Sequence, residues 1–240
     1  MTRPLCILDI GNTHVQLCSG GTITEYPTPA FTPDMIPADV PCAAASVVPA
    51  VTEKLRRARP GIVWVTKDSP GVPDLSRVEA EKLGADRIAN IVKLLSDGIL
   101  PAMTVDCGTA VNCEIVDAAG TYAGGVISPG RQLIRKSLNL FTAQLPAIPL
   151  SDSLPSAFPG TSTVSDLRWG IDASAAAGVC DVVARARAMF PGKRLRVVLC
   201  GGDRLFFKQF LHDAEDGGAD FTLQGIRIVY EKTVRRSVPE

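Results

Sequence analysis

Two short stretches of this chain follow one pattern. Leu8-Asp9-Ile10-Gly11-Asn12-Thr13, followed by a turn at Gly20-Gly21-Thr22, reads as strand, Asp-x-Gly turn, strand, glycine turn, strand. Val105-Asp106-Cys107-Gly108-Thr109-Ala110, followed by Gly120-Thr121, reads the same way. The two aspartates stand at 9 and 106, so two copies of one unit occupy most of the 240 residues. This spacing implies two related lobes, 1–101 and 102–240, facing a cleft, with the boundary near Pro101.

Between the repeats, apolar runs that suit strands (Leu5 to Leu8, Ile62 to Val65, Met103 to Val105, Cys113 to Val116, Leu195 to Cys200, Ile226 to Tyr230) alternate with stretches of helical period. Such alternation is the mark of an α/β fold. Pro49 opens one helix at a position where a first turn tolerates proline. Ile88, Ile91, Val92 and Leu95 fall at i, i+3, i+4, i+7 of another, which stops near Gly98. Further helices are expected over 132–141, 165–189 and 205–215. Five prolines between Tyr26 and Pro41 predict an extended surface connection, and Pro146 to Pro159 predicts an irregular, mobile loop near the cleft.

Lys plus Arg equals Asp plus Glu at 25 each, which leaves no net basic field to gather nucleic acid or an anionic membrane. No apolar run reaches the length that crosses a bilayer, and the apolar start is broken by Asp9 too soon for a secretion signal. Seven cysteines form an odd set with no CxxC pair, and the two histidines are far apart, so reduced thiols, no zinc site and a cytoplasmic location are expected. A small molecule, rather than a nucleic acid or a membrane, is the expected partner.

The Asp-x-Gly turns have the residue types for phosphate. Gly11 and Gly108 let backbone N–H groups come close to an anion, and Asn12, Thr13 and Thr109 add side-chain donors. Asp9 is repelled by phosphate, so its presence makes sense with Mg²⁺ or its bound water in between. Two opposed turns can clamp one polyphosphate. Neither G-x-x-x-x-G-K-[ST] nor G-x-G-x-x-G is present, which removes a P-loop and the usual dinucleotide fingerprint.

Gly84-Ala85-Asp86-Arg87 precedes the amphipathic helix. Asp86 there is either an N-cap or a carboxylate kept ionised by the helix end, ready to orient a hydroxyl proton. Gly124 to Gly130 permits close passage beside a ligand or forms a plain turn. Gly201-Gly202-Asp203 follows a strand and opens a helix, where it either lies against adenosine or allows strand-to-helix packing. Thr163-Val-Ser-Asp166 has capping-box spacing, and Ala173 to Gly178 lets another backbone approach, in the core or at a subunit contact.

In order along the chain, Asp9-Ile-Gly-Asn-Thr13, Ala45-Ser-Val-Val-Pro49, Gly84-Ala-Asp-Arg87, Asp106-Cys-Gly-Thr-Ala110, Gly124-Gly-Val-Ile-Ser-Pro-Gly130 and Thr142-Ala-Gln-Leu-Pro146 resemble the motif series of the type III pantothenate kinases. Thr163 with Gly170, and Gly201-Gly202-Asp203, extend the resemblance over nearly the whole chain. It implies the duplicated ribonuclease H-like fold of the acetate and sugar kinase, heat-shock ATPase and actin superfamily. It also implies ATP-dependent phosphorylation of pantothenate to 4'-phosphopantothenate, the first step of coenzyme A synthesis, with Mg²⁺ and a monovalent cation, K⁺ or NH₄⁺.

Carried over by position, Asp86 matches the catalytic aspartate and Arg87, beside Gly84, the contact to the pantothenate carboxylate region. Asp9, Gly11, Asn12, Thr13, Gly108 and Thr109 match the phosphate turns, with Gly201 and Gly202 at the nucleotide. Asp106 matches the aspartate of the monovalent cation. Thr163 matches a threonine offered from a partner subunit, which implies a homodimer. The chain departs from the family pattern in 75–83, where a Tyr and an Asn-Pro are common, at Gln16, where a basic residue is common, and at Ser162, where an asparagine is common. Two other readings remain: a kinase of the same superfamily for another small hydroxyl compound, and a non-catalytic dimeric regulatory homologue.

Overall fold

The structure, a computed structural model, describes residues 5–236. The reading of Met1 to Pro4, and the end of the 102–240 division, lie outside the described residues. Two five-stranded sheets are present, and each is built around one copy of the repeat.

The first copy supplies β1 (Cys6–Ile10), β2 (His14–Ser19) and β3 (Thr22–Pro27), followed by β4 (Cys42–Ser46), α1 (Pro49–Ala58), β5 (Val63–Trp64) and α2 (Ala85–Asp97). Its sheet runs β3-β2-β1-β4-β5; β1 is antiparallel to β2 and parallel to β4. Successive side chains of a strand point to opposite faces, so β1 feeds two cores. Cys6, Leu8 and Ile10 pack with Phe31, Ile36 and Leu55 on one face, while Ile7 packs with Ala43, Ala45, Ile88 and Val92 on the other. Phe31 and Ile36 come from the proline-rich connection, which two short 3₁₀ turns at Thr28–Ala30 and Pro33–Met35 fold back onto the sheet.

The second copy supplies β6 (Ala102–Cys107), β7 (Ala110–Val116) and β8 (Tyr122–Pro129), then α3 (Arg131–Phe141), α4 (Thr163–Ala188), β9 (Arg196–Cys200), α5 (Arg204–Lys208), β10 (Glu215–Asp216) and α6 (Phe221–Arg236). Its order, β10-β9-β6-β7-β8, repeats that of the first sheet from the other end. Both β3 and β8 end in proline, and in both cases the next residue donates back to the turn between the first two strands. Thr28 N–H reaches Thr13 O, and Gly130 N–H reaches Thr109 O, each at 3.0 Å.

The chain forms two compact units. The first takes the chain up to Leu100, Val116–Gly124 and the chain from Asp220 on; the second takes Pro101–Ile115 and Gly125–Ala219. These units are not contiguous in sequence, because α6 packs in the first. Ile226 to Tyr230, expected as a strand, belongs to this helix. Its β-branched run mimics a strand, but Thr222, Gly225, Ile226 and Val229 bury one helical face. Gly225 lies so close to α2 that a Cβ there would strike the Ala89 carbonyl. Beside it, Thr222 Oγ1 donates to Asn90 Oδ1 at 2.9 Å with both residues buried.

Two expected elements differ in extent. The helix expected over 205–215 ends at Lys208, whose ammonium turns back to the His212 carbonyl (2.9 Å) and that of Ala214, and the chain then forms β10 against β9. The capping box of α4 sits one residue earlier than expected. Ser162 holds the extended N-cap backbone and accepts from Ser165 N–H, while Ser165 Oγ accepts from Ser162 N–H. Thr163 is thereby the first helical residue, and it is exposed. Pro146 to Pro159 is irregular as expected, within a longer irregular stretch over 142–162, and is pinned at Pro149, Ser151 and Ala157, whose carbonyls accept from Arg135, Arg131 and Trp169.

Candidate active site

In the first unit, Asp9 stands one residue before the end of β1 and is half-buried, while Asn12 is exposed at the turn. Gly11 N–H donates to His14 O at 3.0 Å, closing the turn, so that amide is committed and Asn12 and Thr13 form the outward part. Thr28, buried, clasps the turn from behind: its hydroxyl donates to Gly11 O at 2.7 Å. The second unit repeats this arrangement. Gly108 N–H donates to Ala110 O at 3.0 Å, Thr109 is exposed, and Asp106 is half-buried near the end of β6.

Three motifs distant in sequence meet within the first unit. Val47 N–H donates to Ile10 O at 3.1 Å, which sets Ala45 to Pro49 beside the Asp9 turn. A Cβ on Gly84 would lie 3.3 Å from Val47 Cγ1 and 2.5 Å from Asp86 Oδ1. Gly84 is therefore needed for space: the Asp86 carboxylate folds back over it.

Asp86 is not the N-cap. That position belongs to Gly84, and Asp86, inside the first turn, accepts Arg87 N–H at 2.8 Å. Burial raises its pKa, against the opposing pull of that N–H and of the Arg87 charge. The expected effect of the helix end, to hold the carboxyl fully ionised, is thus outweighed by desolvation. A carboxylate of raised pKa beside a cation is a better proton acceptor than an ordinary aspartate.

Arg87 is held from the other side by a residue the sequence reading missed. Its Nη2 donates to Tyr122 Oη at 3.0 Å, and Tyr122 is 1% exposed. No spacing rule connects positions 35 residues apart; only the fold does. A cavity of about 820 Å³ adjoins the motif, lined by Ser46 to Pro49, Lys67, Ala80 to Leu83, Gly84 and Ala85, but not by Asp86 or Arg87.

In the second unit, Gly130 and Gly201 let backbones close on the Asp106 turn. A Cβ on Gly130 would collide with the Gly108 carbonyl, and one on Gly201 would lie 2.5 Å from Asp106 Oδ1 and 2.6 Å from Cys107 O. Gly201 also has φ +82°, which glycine adopts freely. Asp203 N–H donates to Cys107 O at 2.9 Å, completing the junction. Asp203 in turn accepts from Arg131 Nε and Nη2 through its two carboxylate oxygens (2.7 and 2.5 Å), and Arg131 lies over the Phe206 ring at 3.4 Å from its centroid. Asp172 of α4 accepts from Arg131 (3.0 Å) and from Arg135 (2.7 and 2.9 Å). This ion network was not foreseen, since its members lie on two helices and a turn.

The expected residues thus fall into two sets. Asp9, Gly11, Asn12, Thr13, Gly84, Asp86 and Arg87 share the first unit; Asp106, Gly108, Thr109, Gly201 and Gly202 share the second. Thr163 belongs to the second unit and stands exposed at the start of α4. Among the described residues no group of three or more His, Cys, Asp or Glu side chains is placed to hold a metal ion, and no helix is long and apolar enough to cross a membrane.

Two β-sheets of matching strand order, each with an acidic turn after its first strand, define a chain of the actin-like ATPase fold. Solved structures share it: a protein from Campylobacter jejuni described as a Baf family transcriptional activator matches with TM-score 0.69 at 19% identity, covering 96% of this chain and 99% of that one. MreB 5 of Spiroplasma citri bound to AMPPNP matches with TM-score 0.52 at 15% identity, covering 99% and 98%. The family model of type III pantothenate kinase matches residues 22–185. A type III pantothenate kinase of Nitratidesulfovibrio vulgaris is 33% identical over 96% of this chain and 98% of its own length. The chain belongs to the type III pantothenate kinase family.

Proposed function

We propose that this protein transfers the γ-phosphoryl group of ATP to the primary hydroxyl of pantothenate, giving 4'-phosphopantothenate, the entry step of coenzyme A synthesis. Family membership supplies the substrates. The observation that carries the reading to residues is the meeting of Asp9, Val47 and the Gly84–Arg87 segment in one unit, with Asp86 half-buried and raised in pKa.

Phosphoryl transfer needs alignment and charge neutralisation more than a strong base. Asp86 orients the acceptor hydroxyl and takes its proton late, as the oxygen bonds to phosphorus. Arg87, steadied by Tyr122, offers its charge to the pantothenate carboxylate. Asn12, Thr13 and Thr109 serve the phosphates, with Gly11 and Gly108, whose amides close the turns, leaving room for the close approach, and Gly201 with Gly202 serve the nucleotide. Asp9 and Asp106 provide hard oxygen donors suited to Mg²⁺ and to K⁺ or NH₄⁺ respectively. The lack of a larger acidic cluster among the described residues fits a divalent ion held by few protein oxygens, with water and phosphate as the other ligands. When bound, Mg²⁺ supplies charge neutralisation on the phosphates. We further propose a homodimer in which Thr163 reaches the partner's pantothenate, and a cytoplasmic location.

The test is phosphorylation of pantothenate with ATP and Mg²⁺, with and without K⁺ or NH₄⁺, beside a panel of sugars and short hydroxy acids. Formation of 4'-phosphopantothenate, detected by mass, is expected. Transfer only to another acceptor favours the second reading, a kinase for a different hydroxyl compound, to which the departing segment at Ala80 to Leu83 along the cavity points. No transfer to any acceptor overturns both.

A further inference from the structure

The first unit holds a pair of cysteines that the proposed reaction does not use. Cys6 of β1 and Cys42 of β4 are direct partners in parallel register. Neighbouring strands stand about 4.8 Å apart, inside the Cα–Cα window of about 4.4–6.8 Å that a disulfide requires. Both side chains lie in one buried cluster, and the Cys42 thiol donates to the Val40 carbonyl at 3.3 Å. Arg59 Nη2 donates to Cys42 Sγ at 3.9 Å, and its guanidinium is itself held by the Pro37 carbonyl at 2.8 Å.

Access comes from a cavity of about 480 Å³ lined by Asp39, Val40, Pro41, Cys42, Ala58 and Arg59. The neighbouring Cys6 side chain holds the Cys42 thiol down to about 7 against burial, with the charge of Arg59 adding to the effect. Burial instead drives Cys107 and Cys200 well up, so the cysteines are chemically unequal.

We propose that Cys42 is a peroxide-reactive thiol and Cys6 its resolving partner, so that the pair forms a disulfide joining β1 to β4. The Cys42 thiolate attacks hydrogen peroxide; an S–O bond forms, the O–O bond breaks, and the released hydroxide leaves as water after taking a proton. The Cys6 sulfur then attacks the sulfenic acid, forming S–S and breaking S–O, and a second water leaves with the Cys6 proton. Two thiols lose two electrons in all, and the peroxide gains them. An S–S bond of about 2.05 Å then joins the paired strands three residues before Asp9 and four before Ser46, on the two strands that carry the candidate site.

The test uses the full-length, reduced protein treated with hydrogen peroxide at neutral pH, followed by peptide mapping without reductant. A Cys6–Cys42 cross-linked peptide pair, lighter by two hydrogens and restored by dithiothreitol, is expected before any modification of Cys107 or Cys200. In Cys6→Ser, a dimedone adduct should collect on Cys42. Arg59→Gln, a change at a half-buried position, should slow the reaction about fivefold by reducing the thiolate fraction. Oxidation of Cys107 or Cys200 as fast as Cys42 in the wild-type protein overturns the proposal, and so does the absence of any Cys6–Cys42 cross-link. These readouts do not depend on kinase activity, so they stand apart from the functional reading.

Discussion

Removing Asp172 should strongly destabilise the second unit. Asp172 is fully buried, and Arg131 and Arg135 are 1% and 2% exposed. Without it, Arg131 keeps its two bonds to Asp203 and the Ser151 carbonyl at 2.9 Å. Among the described residues, Arg135 keeps only the carbonyls of Pro149 and Arg131, both at 3.3 Å, and no counter-charge. A buried guanidinium stripped of its partner costs about 3–5 kcal/mol. For a chain of this size that corresponds to a fall in Tm of about 6–20 °C for the unit.

Urea unfolding of Asp172→Ala, followed by Trp169 fluorescence in a Trp64→Phe background, reads this directly, because Trp169 lies on the same helix. The double change Asp172→Leu with Arg135→Leu should recover much of the loss, since replacing both ions with apolar groups is often near neutral. A loss below about 1 kcal/mol for Asp172→Ala, or a double variant no better than the single one, refutes the reasoning.

The remaining predictions concern the proposed catalytic residue, Asp86, and the helix that carries it. Asp86→Asn should lower turnover by about 10²-fold or more while nucleotide affinity stays nearly unchanged; unaltered turnover removes the role given to Asp86. Wild-type kcat should fall as pH drops through the raised pKa of Asp86, and Asp86→Asn should lose that limb. Because the folded-state pKa lies above the unfolded one, the folded protein binds this proton more tightly. The contribution to stability is present at low pH and lost as pH rises through the folded value, so Asp86→Asn should be the more stable protein at neutral pH by thermal melting. Gly225→Ala should destabilise the first unit by about 1–3 kcal/mol, because its Cβ meets the Ala89 backbone; an unchanged melting temperature would show that α6 can move away without cost.

The sequence by itself determined the architecture of each half. Asp9-x-Gly11 and Asp106-x-Gly108 set turns at the ends of β1 and β6, because an acidic residue followed two places on by glycine suits a tight reversal after a buried strand. The spacing of Ile88, Ile91, Val92 and Leu95 marked α2 for the same local reason. The motif series likewise pointed to the family, and through it to Asp86 and Arg87. Local rules failed where packing decided. Ile226 to Tyr230 has strand-like composition, yet becomes helical because Gly225 admits the α2 backbone and Val229 completes a buried helical face. Asp86 looked like a cap, but the backbone places Gly84 there and turns the carboxylate inward, where desolvation sets its proton affinity. Tyr122 behind Arg87, Thr28 behind the Asp9 turn, Asp172 between two arginines and the Cys6–Cys42 pair all join residues far apart in the chain. Such contacts leave no periodicity or spacing to read, and only the tertiary structure, which chooses which segments become neighbours, could create them.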